Sequence, residues 1–230
     1  PAQANGRSAL YLHPDGKNTE AGAGGQIELL VRKGFTVLAP DLVGMGEVGA
    51  GDFTGDAYIS GVSHNIWYAG LLVGKSITGL RAADIARLVN VIKERSADRE
   101  ISAIALGAMG PVLLHAAAFI PDIKKVALLE PLISYKSLVA SHRYHSEFIP
   151  VAVAGSLLVY DLPDLAASLA PRKLLIVDPV DGNNEPVGQG ENADLDFIRQ
   201  SFTTKGNKTS LKIIQNRSGS EPLIDERWFE

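Results

Sequence analysis

The run that most restricts what this chain can become is residues 101–110, ISAIALGAMG, followed at once by PVLLHAAA. A continuous apolar stretch meets a cluster of small residues, and helical spacing begins without a linker. A strand that turns this sharply into a helix lifts the residue at its apex above the C-terminal edge of a parallel sheet. Aligned with the G-x-S-x-G pattern of such turns, Ala105 takes the first position, Ala108 the one after the apex, and Gly107 the apex itself. The turn is expected to form, and its hydroxyl is missing.

The flanking sequence supplies a sheet for this turn. Residues 8–13 read as a short buried strand, stopped by His13-Pro14-Asp15-Gly16. Helical spacing over 20–33 runs through Ile27, Leu30 and Val31 and ends at Gly34, where a glycine after a helix belongs. Residues 35–39 are the next strand, closed by Pro40 and Asp41, and a glycine-rich loop at 43–51 leads into an irregular stretch to about Leu72. A long helix from Lys75 to about Arg95 carries Ile85, Leu88, Val89 and Ile92 on one face. After the elbow helix come a strand at 123–130 and a cap or crossing segment at 135–160. Asp161 and Pro163 mark a helix start, and a strand at 173–178, a helix at 193–203 and a last strand at 211–215 complete the chain. Strands that are continuous apolar runs, alternating with helices, predict α/β class: a doubly wound, mostly parallel six-stranded sheet, with five helices covering both faces. The 230 residues suit a single domain, 1–230, with a full core.

In this order the chain resembles the α/β-hydrolase fold from its third to its eighth strand, and more narrowly its acetylxylan-esterase-like and dienelactone-hydrolase-like branch. Some bacterial enzymes of that branch carry two hydrolase units in tandem, one of them degenerate. The resemblance implies that the loop of His13, Asp15 and Gly16 supplies one oxyanion N–H and Ala108 the other. It places Gly107 where the family has its serine, and Asp181 as the acid of the triad, with Asp178 a weaker candidate. The family's histidine belongs in the loop after the last strand, here residues 216–222, yet no histidine follows His145. The first two strands of the family have no counterpart, which leaves the edge at 35–39 open to a partner, either a catalytic hydrolase domain or a second chain. The expected role is therefore non-catalytic: the structural or substrate-groove half of a bacterial carbohydrate esterase. The resemblance favours a secreted or periplasmic setting. The chain opens at Pro1 without a methionine and so reads as a processed or excised piece.

Two other readings compete with this one. The first is a working ester hydrolase whose nucleophile or base comes from a non-standard position such as His115, or from a neighbouring chain. The second is a saccharide-binding module using Asp181, Glu185 and the His13 loop. Asp15, Asp41, Asp181 and Glu185 all follow strand ends, where they either form a polar pocket or order their loops; the second role is the commoner one.

Several further motifs are weaker. Ser63 and His64 are sequence neighbours whose side chains diverge, so a structural role is expected. His142 and His145, with Glu147 nearby, have metal-like spacing but no third ligand, so no metal is expected. His115 reads as a packed core histidine. The 43–51 loop lacks a G-x-G-x-x-G run opening a helix, so no cofactor is expected. A net charge of −4 without a basic stripe argues against nucleic acid, and no apolar run reaches the roughly 18 residues of a membrane span. The absence of cysteine excludes disulfides and thiolate chemistry. Asn207 and Asn216 open formal glycosylation sequons.

Overall fold

A computed structural model describes residues 4–49, 57–59, 62–95, 100–188, 190–205, 207–215 and 228. In chain order the strands and helices are β1 (Ser8–Leu12), α1 (Gln26–Arg32), β2 (Thr36–Leu38), β3 (Tyr58–Ile59), β4 (Val62–Ser63), α2 (His64–Leu72) and α3 (Ile77–Arg95). There follow β5 (Ile101–Leu106), α4 (Met109–Phe119), β6 (Ile123–Leu129), α5 (Tyr135–Ala140), α6 (Leu162–Ser168), β7 (Lys173–Val177), α7 (Ala193–Thr204) and β8 (Leu211–Ile214). Six strands form one sheet in the order β2-β1-β5-β6-β7-β8, and every pairing in it is parallel.

Period-two alternation divides the strand residues between two cores. Leu10, Leu12, Ala103, Val126 and Leu174 face α3, α4, α6 and α7, where Ile85, Val112, Leu162, Ile198 and Phe202 meet them. Ala9, Tyr11, Ile104, Ala127 and Leu175 face the other way, toward Leu30 of α1, Phe35 and Trp228. Burial on both faces is why these strands carry unbroken apolar runs.

The expected α/β class and parallel sheet are present; the helices need correction. Seven helices occur among the described residues, not five. The stretch up to Leu72 contains the β3–β4 hairpin and α2. Only Gly70 of α2 is buried, so no apolar stripe exists for a helical period to reveal. Helix α1 starts at Gln26, later than Glu20, because Gly22, Gly24 and Gly25 each cost about 1 kcal/mol in a helix. The Glu20 carboxylate instead accepts from the Gln26 N–H at 3.0 Å. The 135–160 segment holds α5 and two 3₁₀ turns, Ser146–Phe148 and Ser156–Leu158.

Helix ends are closed by groups from other elements. Asp161 caps α6 in a reciprocal box with Asp164. It also accepts from the N–H of Tyr135 at 2.6 Å and of Lys136 at 3.0 Å, so one carboxylate serves the first turns of two helices, α5 keeping Ser134 as its own N-cap. At the C-terminal end of α4, Arg172 donates to the carbonyls of Ala117, Ile120 and Ile123 at 2.7–3.1 Å. Among the described residues β2 pairs only with β1 and is an open edge three residues long.

Candidate functional site

The elbow forms where the small residues require it. Gly107 follows β5 with φ +47°, its N–H donating to Leu129 O at 2.9 Å and its carbonyl accepting from Gly110 N at 2.9 Å. A β-carbon at Gly107 would meet nothing closer than Pro14 Cγ at 4.0 Å. Space for a side chain is therefore present. Gly110 differs: a β-carbon there would stand 2.9 Å from Pro131 Cβ, so this glycine is needed for α4 to lie against the end of β6. Ala108 adopts helical angles and opens α4.

The His13 loop rises beside the elbow because Leu12 pairs in register with Ala105. His13 Nδ1 accepts from the Asp15 N–H at 3.1 Å, and Gly16 N donates to His13 O at 3.1 Å. Asp41 ties this loop to the next. Its carboxylate, 4% exposed, accepts from the backbone N–H of Lys17 at 2.8 Å and of Glu47 at 3.1 Å. Burial alone would raise the Asp41 pKa, but those two N–H groups and the Lys17 charge outweigh it and hold it below the ordinary value. Asp41 therefore orders its loops, and so does the 43–49 part of the glycine-rich stretch; positions 50 and 51 lie outside the described residues.

Three strand ends repeat one device. Gly107, Glu130 and Asp178 follow β5, β6 and β7 with φ of +47°, +52° and +47°. The Glu130 N–H donates to Val177 O at 2.7 Å and the Asp178 N–H to Ile214 O at 2.8 Å. Glutamate and aspartate seldom adopt this left-handed geometry. Glu130 was invisible as a site residue in the sequence, where it merely ends an apolar run; only register sets it beside Gly107. Glu147 lies in the 3₁₀ turn Ser146–Phe148. Burial raises its pKa first, the carboxylates of Asp15 and Glu130 add to that, and His145 opposes it, with Nδ1 3.7 Å from the Glu147 carboxylate. The edge thus sets Glu130 beside an apex that carries no nucleophile.

The remaining candidates go elsewhere. Asp181 turns its carboxylate into its own loop, accepting from Asn183 N at 2.8 Å and Glu185 N at 3.0 Å. With Glu185 it lines a groove of about 760 Å³ whose other wall is α5 and the residues after it; His13, Gly107 and Ala108 do not line it. Ser63 is the N-cap of α2, accepting from Ile66 N at 3.2 Å, and His64 packs on the Trp67 and Tyr68 rings. Asn207 donates to Pro171 O at 3.2 Å. Among the described residues no three His, Asp or Glu side chains are placed to hold a metal ion. The 216–222 loop lies outside the described residues.

His115 is held at both ring nitrogens, by Pro111 O at 2.7 Å and the Tyr160 hydroxyl at 2.8 Å. The carbonyl requires a proton on Nδ1, so in the neutral ring Nε2 accepts from Tyr160. Burial lowers its pKa, with the Pro111 carbonyl opposing in part. Its neutral form is thus favoured by folding. That contribution is complete above the unfolded value near 6.5 and is lost as pH falls through the lowered folded value. His115→Gln is expected to remove a stability slope of at most about 1.4 kcal/mol per pH unit on the acid side of 6.5. Urea midpoints from pH 7.5 to 5 for both proteins check this; parallel curves would exclude it.

No protein-family model matches the sequence, and no curated protein matches it. Solved structures do. A Bacteroides fragilis protein assigned as an acetyl xylan esterase is 16% identical, with a TM-score of 0.73 over 96% of this chain and 61% of its own. The Pyrococcus furiosus esterase Pf2001 is 14% identical, with a TM-score of 0.53 over 91% of this chain and 72% of its own. The Pyrococcus horikoshii acylaminoacyl peptidase is 12% identical, with a TM-score of 0.58 over 94% of this chain and 33% of its own. The chain therefore spans only 61% of the length of the first of these. Sheet order, the sharp β5–α4 turn and these likenesses agree that the chain has the α/β-hydrolase-like fold.

Proposed function

We propose that this chain is a non-catalytic α/β-hydrolase-like domain, the structural or substrate-groove half of a bacterial carbohydrate esterase of acetylxylan type. One observation carries the reading: the elbow apex is Gly107, in the turn geometry and with open space above it, yet without a hydroxyl. Acyl transfer through the elbow needs a nucleophilic oxygen and a base to take its proton. An oxyanion site alone would leave roughly 10³-fold over water, too little to act as an esterase. The open edge of β2 supports an association with a catalytic domain or a second chain, since exposed edges are normally covered.

A working ester hydrolase with a nucleophile from another chain is the second reading. The His145–Glu147 pair, with Nδ1 3.7 Å from the carboxylate, supports it as an imidazole and a carboxylate held near one another. One assay decides. The wild-type chain is expected to show no saturable hydrolysis of 4-nitrophenyl acetate and no labelling by a serine-directed phosphonate; hydrolysis or labelling would overturn the non-catalytic reading.

Gly107→Ser asks whether the hydroxyl is the sole deficit. The variant is expected to fold, because its β-carbon clears Pro14, at a cost of roughly 1–2 kcal/mol for the left-handed φ. It is expected to remain inactive. Saturable ester hydrolysis by Gly107→Ser would mean that a base is present after all.

A further inference from the structure

We propose that the solvent face of α2 is a self-association surface, on which a second copy of this chain docks helix against helix about a two-fold axis. The inference goes beyond the reading above and uses a different element from the β2 edge. Within α2 the exposed residues are Asn65, Tyr68, Ala69 and Leu72, joined by Val73 at the C-cap. That is the i, i+3, i+4, i+7 spacing of a packing stripe, turned outward and not into the core. Tyr68 is 53% exposed, Leu72 80% and Val73 70%. A helix this apolar is normally covered.

The stripe is presented by a helix closed at both ends. Ser63 caps its start, accepting from Ile66 N at 3.2 Å. At its end Lys75 N donates to Gly70 O at 2.8 Å and Gly74 N to Leu71 O at 3.1 Å, with Gly74 at φ +69°. This is the paired closure of a helix that stops on a left-handed glycine. Gly70, the buried residue of α2, sits against that turn, where a β-carbon would stand 3.2 Å from Lys75 O. The Tyr68 ring is flanked by His64 and Trp67, with centroids 5.4 and 5.9 Å away. Little freedom is left to lose on docking.

Charge selects the occupant. Residues 57–74 contain no Asp, Glu, Lys or Arg, although the chain as a whole carries −4. A two-fold axis sets each residue of a patch near its own copy, so a charge there meets its like. This stretch escapes that penalty. A different protein would ordinarily be oriented by complementary charge, and the stripe offers none. A helix lying in a lipid surface carries Lys or Arg on its polar face, and α2 has neither. Ala69, central in the stripe, has the small side chain that lets two helices approach closely. Nine residues make a helix only about 14 Å long, less than a standard interface requires. The dimer is therefore weak, with a Kd on the order of 10 µM or above.

Sedimentation velocity of the 230-residue chain, from about 1 to about 300 µM, tests the surface. A concentration-dependent dimer is expected, unchanged or tightened by salt, because screening only relieves the repulsion between two chains of like net charge. Ala69→Glu and Leu72→Glu are each expected to raise its Kd about tenfold or more. Both positions are exposed, so the fold is kept, and matching urea midpoints check that. The chain has no cysteine, so Ala69→Cys reports on one contact. Mild oxidation is expected to cross-link it at least about tenfold faster than Ser168→Cys, an exposed position on α6. A monomer at every concentration would overturn the proposal. So would a dimer unaffected by both glutamates, a dimer dissociated by salt, or equal cross-linking of the two cysteine variants. A chain that stays monomeric but sediments with phosphatidylcholine vesicles would give the face to lipid, which also overturns it.

Discussion

Asp161→Ala is expected to destabilise the fold by about 2–4 kcal/mol, the sum of the lost α6 cap and the unsatisfied N–H groups left behind at both helix starts. Its carboxylate accepts from Leu162 N at 2.6 Å within its own helix start, and from Tyr135 N and Lys136 N across the chain. An ordinary cap closes one helix and is worth about 1 kcal/mol. This one also holds the first two N–H groups of α5, which Ser134 caps, and α5 in turn is a wall of the groove. Chemical denaturation should show the loss, with a fall in Tm of roughly 5–15 °C. A side-chain amide in its place would offer only one acceptor oxygen; placed as Oδ1 it keeps the contacts to Leu162 and Tyr135 and loses that to Lys136, so Asp161→Asn is expected to recover about half of the deficit or more. A loss under about 1 kcal/mol for Asp161→Ala would mean that the contacts to Tyr135 and Lys136 carry no energy.

The same residue shows what the sequence could and could not reveal. Asp161 two places before Pro163 is a local signal, and the α6 start was legible from it. Its reach to Tyr135, 26 residues away, was not, because no local pattern encodes that distance. The sheet was legible for a related reason: strands buried on both faces are largely apolar, as the fully buried run Ser8–Leu12 is. Helix α2 escaped because it buries too little to imprint a period on its sequence. At the site, the elbow and its missing hydroxyl could be read from Gly107, since turn chemistry is local. The neighbour that defines the edge, Glu130, is set there by register and so depends on tertiary packing. Asp181 was readable as a loop acid, but its position opposite Arg143 depends on α5 docking against Gly182.

Asp41→Ala is expected to cost about 2–3 kcal/mol, since two backbone N–H groups lose a charged acceptor in a site almost closed to water. It should also loosen the His13 loop from the glycine-rich loop. The contribution of Asp41 depends on pH with a definite sign. Because its folded pKa lies below the unfolded value, it is complete above about pH 3.9 and is lost as pH falls through the lower folded value. Stability measured against pH should therefore fall less steeply below about pH 4 in Asp41→Ala than in the wild type. Sterics give an independent check. The carboxylate fills space beside Gly16, where a β-carbon would come within 2.7 Å of Asp41 Oδ1. Gly16→Ala carries a left-handed φ of +88° in either background, but the clash exists only when Asp41 is present. The cost of Gly16→Ala should thus be smaller in the Asp41→Ala background, with a coupling of at least about 0.5 kcal/mol in a double-mutant cycle. Strictly additive costs would mean that Gly16 answers to backbone conformation alone, and that Asp41 does not hold the loop beside the elbow by occupying the space a side chain would need.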